Sequence, residues 1–170
     1  MIINRIYFQK KNYLLRKFLK KDIQREYISW FKNQNLFKFS RHKDNKYNRN
    51  ELIDYYNKHN SSKKIFLAII KNQGKILVGT ITIYIKSKKA NIGILIGNKK
   101  FHGKKIGHFA IEKLVNFLLK KTEIKVIHIG TNNKNIAMKK ICKFLNMKVL
   151  KRKKIKGSIL ITYYINNKMI

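Results

Sequence analysis

The segment from 90 to 112 constrains this chain more than any other part of its 170 residues. An apolar run, Ile92–Ile96, leads into a short basic loop with Gly103 and Gly107, and a helical pattern of apolar residues follows. A strand that turns through glycine into a helix directs backbone N–H groups toward one point, where the helix dipole also favours negative charge. The pattern therefore predicts an anion site, most often for a phosphate. An ordinary connection, in which the glycines only ease the turn, is the alternative.

The length predicts one domain, residues 1–170, that can bury a core without disulfides. The apolar runs, such as 65–70 and 76–85, have the length of strands and not of membrane spans. The first residues lack the apolar core of a signal peptide. Cys142 is the only cysteine, and the five histidines show no spacing typical of zinc. We therefore expect a soluble cytoplasmic domain with no metal.

A formal net charge of +34 would suit a protein that binds nucleic acid, since clustered Lys and Arg neutralise phosphates. Lysine greatly outnumbers arginine, however, and the planar guanidinium of arginine is the better group for phosphate and base recognition. Lys, Ile and Asn dominate and Pro is absent, as A/T-rich codons alone would produce. Coding bias is therefore the favoured explanation of the charge, and contact with nucleic acid or the ribosome is the alternative. In both cases the field would steer an anionic ligand.

Alternating and helical periodicities predict the order β-α-α-β-β-β-α-β-α-β-β. Strands are expected at 12–20, 64–71, 76–85, 90–97, 123–130 and on both sides of a turn at 156–158, with another at 2–8 beside the first. Helices are expected at 23–32 with Asp22 as N-cap, after an N-cap at Asn50, at 104–121 and at 135–148. The polar segment 33–49 predicts a long functional loop or a short irregular helix.

The element order and the loop after the strand at 90–97 resemble the GNAT acetyltransferase superfamily over roughly residues 12–165. In that family the loop reads Gln/Arg-x-x-Gly-x-Gly/Ala and binds the pyrophosphate of acetyl-coenzyme A. Here it reads His102-Gly103-Lys104-Lys105-Ile106-Gly107, with Lys105 in place of the middle glycine. A family helix pattern beginning Asn-x-x-Ser is echoed from Asn135 to Met147. The implied fold is mixed α/β, with a twisted mixed sheet of about six or seven strands and about four flanking helices.

The chain is most similar to the ribosomal-protein alanine acetyltransferase branch, and within it to bacterial enzymes that acetylate nucleotide-linked amino sugars. The segment 27–43 and the strand at 90–97 carry this similarity. Acetyl-coenzyme A is the implied acyl donor, with no metal. Its pantetheine arm would pair with the strand backbone, and its pyrophosphate would lie on the loop amides. The implied cofactor-binding residues are Ile94, Ile96, His102, Gly103, Lys104, Lys105, Ile106, Gly107 and Asn135.

Acetylation of an amine needs a group that accepts the amine proton and a group that protonates the leaving thiolate. Many relatives place a glutamate base on this strand, where the chain has Asn91, and an amide cannot accept the proton. The tyrosine acid of many relatives aligns with Cys142, a thiol that can donate a proton or simply pack in the core. His42, beside Arg41 on the implied acceptor loop, is the better candidate for a base or a substrate contact, and a solvated loop histidine is the alternative.

Trp30, Arg41 and Asn91 are the implied substrate-binding residues, although Trp30 would serve equally as a core residue of the first helix and Arg41 as an exposed cation. The predicted function is an acetyl-coenzyme A-dependent N-acetyltransferase that acts directly on a primary amine, with a nucleotide-linked amino sugar as the favoured acceptor. The N-terminus of a ribosomal or other protein is the alternative acceptor. A basic RNA- or ribosome-associated protein that keeps the fold without turnover is the alternative from another class.

Overall fold

A computed structural model describes residues 5–40, 47–59, 61–155 and 157–170. These residues contain eight strands: β1 (Arg5–Phe8), β2 (Tyr13–Lys17), β3 (Lys64–Lys71), β4 (Ile76–Lys86), β5 (Lys89–Ile96), β6 (Val126–Asn132), β7 (Lys148–Ile155) and β8 (Ser158–Asn166). They form one sheet in the spatial order β1-β2-β3-β4-β5-β6-β8-β7. Neighbouring strands are antiparallel except β5 and β6, which are parallel. The expected mixed sheet is confirmed, with more strands than expected.

Five α-helices of the described residues flank this sheet: α1 (Arg25–Trp30), α2 (Gln34–Phe37), α3 (Arg49–Lys58), α4 (Ile106–Lys121) and α5 (Ile136–Phe144). Residues of α1 and α3 share one apolar cluster with β2 and β3, whereas α4 and α5 share another with the opposite face of the sheet. The mixed α/β fold is therefore confirmed. In the part of the chain that the structure describes, no helix is both long and apolar enough to cross a membrane.

Strand β3 shows how the sequence supplies both apolar clusters. Phe66, Ala68 and Ile70 face the side of α1 and α3, and Leu67 and Ile69 face the side of α4 and α5. Successive side chains of a strand point to opposite faces, so a continuous apolar run suits a strand that is covered on both sides. The same alternation decides which residues of β5 and β6 face each side.

The expected cap at Asp22 is wrong. The Asp22 carboxylate accepts two hydrogen bonds from the Arg16 guanidinium, at 2.6 and 2.7 Å, and a third from the backbone N–H of Leu19. A paired charge-assisted contact of this kind holds the carboxylate away from the helix. Helix α1 consequently begins at Arg25, after an N-cap at Gln24 that has no side-chain hydrogen bond.

The second expected cap lies two residues too late in the chain. Asn48, not Asn50, caps α3: its Oδ1 accepts the N–H of Glu51 at 3.0 Å, and the Glu51 carboxylate accepts the N–H of Asn48 at 2.6 Å. This reciprocal pair is a capping box, and its Asn-x-x-Glu spacing is readable in the sequence. In α5 the expected cap is confirmed, since Asn135 Oδ1 accepts the N–H of Met138 at 3.1 Å.

Candidate active site

Strands β5 and β6 pair over only three residue pairs and then diverge. The paired residues run from Lys89 opposite Val126 to Asn91 opposite His128. Beyond this point β5 continues beside β4 as far as Ile96, and β6 continues beside β8 as far as Asn132. The result is an open gap within the sheet, which we call the strand gap, with Asn91 and His128 as the last paired residues at its closed end.

Backbone groups of β5 face the strand gap. The carbonyl oxygen of Ile96 accepts a hydrogen bond from Nε2 of His102 at 2.7 Å, so it is directed away from β4. Because backbone groups alternate in direction along an antiparallel strand, those of Ile94 and Ile92 are directed into the gap as well. The backbone of Ile94 and Ile96 is therefore oriented as the sequence-based hypothesis requires.

Apolar side chains line the α4 and α5 side of this gap. A methyl group added at Gly107 would lie 3.5 Å from Ile141 and 3.7 Å from both Ile94 and Ile96, which is ordinary van der Waals contact. Ile106 is 2% exposed, so only its backbone is available to a ligand. The first turn of α4 therefore packs close to β5 and α5, with room for a methyl group at Gly107.

The loop at the mouth of the strand gap holds its shape through two residues with positive φ. Gly103 has φ +74°, and Lys105, the N-cap of α4, has φ +56°. No side chain caps α4, so its first N–H groups are left for a ligand or water. A left-handed residue followed by helical residues makes a concave set of N–H donors that suits an anion. The exposed Lys104 and Lys105 add positive charge at the same place.

The positive φ of Lys105 gives a first prediction. Lys105→Gly is expected to raise the free energy of unfolding by about 0.5–1 kcal/mol. The left-handed conformation costs an L-residue about 1–2 kcal/mol, and glycine removes this cost. Part of the stabilisation is offset because glycine also increases the conformational entropy of the unfolded chain. Urea denaturation of the two proteins measures the difference. Lys104→Gly is the matched control, because Lys104 does not have a positive φ and gains nothing from glycine. Equal effects of the two changes would contradict the prediction.

A row of polar side chains crosses the other face of the sheet at the closed end of the strand gap. Tyr84 on β4 pairs with Asn91, Asn91 pairs with His128, and His128 pairs with Tyr164 on β8. These residues share the face on which α1 and α3 pack, because Leu95 of β5 belongs to that cluster. No local sequence pattern singles out His128 or Tyr164, because only the pairing of β5 with β6 brings them to this place.

Tyr84 is held rigidly at one end of this row. Nε2 of His59 lies 2.5 Å from the Tyr84 hydroxyl, and Nδ1 of His59 lies 2.7 Å from the backbone carbonyl of Tyr55. A carbonyl can only accept, so Nδ1 carries the proton and the Tyr84 hydroxyl donates to Nε2. Burial lowers the pKa of His59, which keeps this ring neutral.

The comparisons with known proteins agree with this geometry. The profile of the acetyltransferase (GNAT) domain matches residues 12–148, which is well over half of the chain. The chain belongs to the GNAT acetyltransferase family. It is therefore an N-acetyltransferase by family. No curated protein matches it by sequence.

Solved structures of other GNAT proteins are similar over nearly the full length. RimL, a ribosomal L7/L12 alpha-N-protein acetyltransferase in complex with coenzyme A, has a TM-score of 0.84 at 14% identity, covering 98% of this chain and 100% of that one. Spermidine N-acetyltransferase from Vibrio cholerae, in complex with CoA and spermine, has a TM-score of 0.79 at 17% identity, covering 93% and 97%. The microcin C7 self-immunity acetyltransferase MccE, in complex with acetyl-CoA and AMP, has 0.79 at 18%, covering 91% and 92%. At these identities the likeness establishes the fold.

The surroundings of Cys142, which the family resemblance aligns with a tyrosine acid, favour packing. Its side chain is fully buried in the cluster between the sheet and α4 and α5. Burial raises the pKa of the Cys142 thiol to about 12. A thiol with this pKa is a poor proton donor at neutral pH, so a catalytic role for Cys142 stays a prediction without structural support.

Helix α1 is fixed to the end of β5 by two contacts that involve Trp30 and Glu26. A methyl group added at Gly97 would lie 2.0 Å from atoms of the Trp30 indole, so the ring lies directly on the glycine. The Asn98 amide donates to the Glu26 carboxylate, and Asn98 Oδ1 accepts the N–H of Lys100 at 3.1 Å. Trp30 is 4% exposed, which favours the core-packing interpretation over a wall of the acceptor pocket.

Two of the expected site residues, Arg41 and His42, lie outside the described residues, so their roles stay predictions. Asn91 is exposed on the α1 and α3 face of β5, and its contact with a substrate stays a prediction. Asn135 is engaged as a helix cap, and its contact with a cofactor is untested. Among the described residues, no group of three or more His, Cys, Asp or Glu could hold a metal ion.

Proposed function

We propose that this GNAT protein transfers the acetyl group of acetyl-coenzyme A directly to the primary amine of an anionic small molecule. A nucleotide-linked amino sugar is the acceptor that we favour. The structures of RimL and MccE, which contain coenzyme A and acetyl-CoA, support the choice of donor in this fold.

The residues around the strand gap fit the donor. Backbone groups of Ile94 and Ile96 can pair with the amide groups of a pantetheine arm as a neighbouring strand would. The N–H groups at the start of α4 and the charges of Lys104 and Lys105 can hold a pyrophosphate. The bound donor supplies a thioester carbonyl, which a backbone N–H near Ile94 can polarise.

The charge around the closed end of the gap carries the acceptor proposal. None of the eight described strands contains an Asp or a Glu. On the same face as Asn91 and His128, the exposed charges of the described strands nearest in register are those of Lys89, Lys148 and Lys151. Such a face attracts an acceptor with phosphate groups and repels a polyamine, whose binding needs carboxylates.

A nucleoside diphosphate carrier meets this requirement. Its two phosphates bring negative charge to the lysines, while the sugar amine lies at the other end of the molecule. The structure of MccE in complex with acetyl-CoA and AMP supports a nucleotide as part of the acceptor. Likeness to RimL makes a protein N-terminus the second candidate acceptor.

Acetyl transfer to a small panel of amines tests the proposal, with release of the coenzyme A thiol as the readout. The panel contains a nucleotide-linked amino sugar, the same amino sugar without its carrier, spermidine and a peptide with a ribosomal-protein N-terminus. The nucleotide-linked sugar is expected to have a kcat/KM at least tenfold above the free sugar, and this advantage should shrink as salt screens the lysines. Acetylation of the peptide without acetylation of either sugar would refute the favoured acceptor.

The alternative function, a basic RNA- or ribosome-associated protein without catalytic turnover, predicts a different result in the same assay. It would show no thiol release with any amine, together with salt-sensitive binding of RNA. A thermal-shift titration separates the two cases, since a donor that binds the folded state stabilises it by mass action. Saturable stabilisation by acetyl-coenzyme A is the expected result.

A further inference from the structure

The active site lacks the group that many GNAT proteins use to accept the amine proton. An amine acceptor is largely protonated at neutral pH, and it must lose a proton before its nitrogen can attack a carbonyl. The residue at the usual position on β5 is Asn91, whose amide cannot accept that proton. No Asp or Glu on any described strand can take its place.

The partner of Asn91 on the neighbouring strand has the required chemistry. His128 lies directly opposite Asn91 in the parallel pairing of β5 and β6, and the two side chains point to the same face. Neighbouring strands lie about 4.8 Å apart, so the imidazole begins one strand spacing from the usual position of the carboxylate. Both residues are the last paired ones at the closed end of the strand gap.

We propose that His128 is the general base of this enzyme and that it accepts the proton of the acceptor amine at the closed end of the strand gap. The inference rests on the proposed transfer of acetyl to an amine and holds for whichever amine is the acceptor.

The His128 ring is available for this role, whereas the ring of His59 is not. Neither ring nitrogen of His128 has a hydrogen-bond partner among the described residues, and the side chain is only partly buried. His59 is 8% exposed, with one nitrogen bonded to the Tyr55 carbonyl and the other to the Tyr84 hydroxyl. His59 therefore positions Tyr84, and His128 is free to meet an amine.

The surroundings of His128 keep its imidazole neutral. Burial lowers the pKa of His128 from the ordinary value of 6.5, and Lys89 and Lys151 lower it further. The groups that face it are Lys89 and Asn91 of β5, Tyr164 of β8, and Lys148 and Lys151 of β7. None of them is a carboxylate that would favour the charged ring. At neutral pH the ring is consequently ready to accept a proton.

The protons and bonds of the step balance without a further reactant. The ammonium group of the acceptor gives one proton to His128, and the freed nitrogen forms a bond to the acetyl carbon of the donor. The carbon–sulfur bond then breaks, and the electron pair leaves with the sulfur. The second proton leaves the new amide nitrogen and ends on the thiolate, while His128 returns its own proton to solvent.

Steady-state kinetics of His128→Ala and His128→Gln test the proposal with any amine that the unmodified enzyme acetylates. Both variants are expected to lower kcat by about 100- to 10,000-fold, the usual contribution of general-base catalysis, with unchanged affinity for acetyl-coenzyme A. Added imidazole should restore part of the activity of His128→Ala but not of His128→Gln, since the position of the missing side chain is partly exposed and free imidazole can enter it. His108→Gln is the control, because His108 lies on α4 beside Phe144, away from the closed end of the gap.

The pH dependence of the unmodified enzyme is an independent test, because it does not depend on whether any variant folds. A base with a lowered pKa is neutral above that pKa, so on the acid side kcat/KM should fall only below about pH 6.5. On the alkaline side, the change in kcat/KM should follow the pKa of the acceptor amine. A fall in kcat/KM with its midpoint above pH 6.5, variants within a few-fold of the parent kcat, or no rescue by imidazole would each overturn the role of His128. If the unmodified enzyme acetylates no amine, the proposed function fails and the role of His128 fails with it.

Discussion

Gly97→Ala is expected to lower the free energy of unfolding by about 2–3 kcal/mol, the upper part of the range for overpacking a buried site. The added methyl group would lie 2.0 Å from the Trp30 indole, so the ring or the end of β5 must move. Trp30 in turn packs edge-on against Tyr27, at 5.3 Å between ring centroids, within an aromatic cluster that has little room to adjust. For a chain of this length, the melting temperature should fall by about 5–10 °C.

Gly130→Ala is the matched control for this change. Gly130 lies within β6, whereas Gly97 directly follows β5, and a methyl group at Gly130 has no neighbour within 4 Å. Alanine should be neutral or slightly stabilising at Gly130, by about 0.5–1 kcal/mol at most, because glycine weakens a strand interior. Circular dichroism melts of both variants give the comparison. A Gly97→Ala protein as stable as its parent would mean that α1 does not lie against β5 as described.

The double change Lys104→Gln and Lys105→Gln is expected to weaken acetyl-coenzyme A binding by about 10- to 100-fold, since a hydrogen bond to a charged group is worth about 1.5–3 kcal/mol and 1.4 kcal/mol is tenfold. Both lysines are exposed at the start of α4, where the donor pyrophosphate would lie. Isothermal titration of acetyl-coenzyme A measures the dissociation constant. The effect should diminish at high salt.

The change of Lys153 and Lys154 to glutamine separates local contact from the field of the whole protein. This control removes an equal number of positive charges, but from β7, at the edge of the sheet and away from the loop. It is expected to leave the dissociation constant within about twofold, because charges beyond a Debye length are screened at physiological salt. Equal losses from both pairs would show that net charge, and not the loop, holds the phosphates.

Local sequence patterns were sufficient to predict most of the elements. The hairpin between β3 and β4 turns at Gly74, with φ +73°, and that between β7 and β8 turns at Gly157, with φ +74°, as the glycine positions predict. Asn146, after α5, adopts the left-handed conformation that ends many helices and that Asn tolerates better than most residues. These features depend on residues close in the chain, so a single sequence contains the information.

Features that depend on distant residues were missed. Asp22 has the residue type and position of an N-cap, but Arg16 on the preceding strand takes its carboxylate. Helix α4 lies between Asn91 and His128 in the chain, and only the short parallel pairing of β5 with β6 brings the two residues together. Periodicity identifies strands but does not determine which strand pairs with which, or where a pairing ends.

The loop of the donor site shows the limit of motif comparison. Lys105 stands where the family pattern has a glycine, and it adopts the positive φ that glycine tolerates best. The backbone conformation is kept at an energetic cost, and the substitution adds charge where phosphates would bind. The departure from the family pattern therefore changes the stability of the loop more than its backbone geometry.

Strand β7 has a consequence for how this protein behaves at high concentration. It forms one edge of the sheet, all eight of its residues are exposed, and five of them are Lys or Arg. An uncovered edge is where another chain can add a strand and begin to aggregate, and a row of like charges opposes that addition. The like charges of β7 therefore protect this edge of the sheet by repulsion.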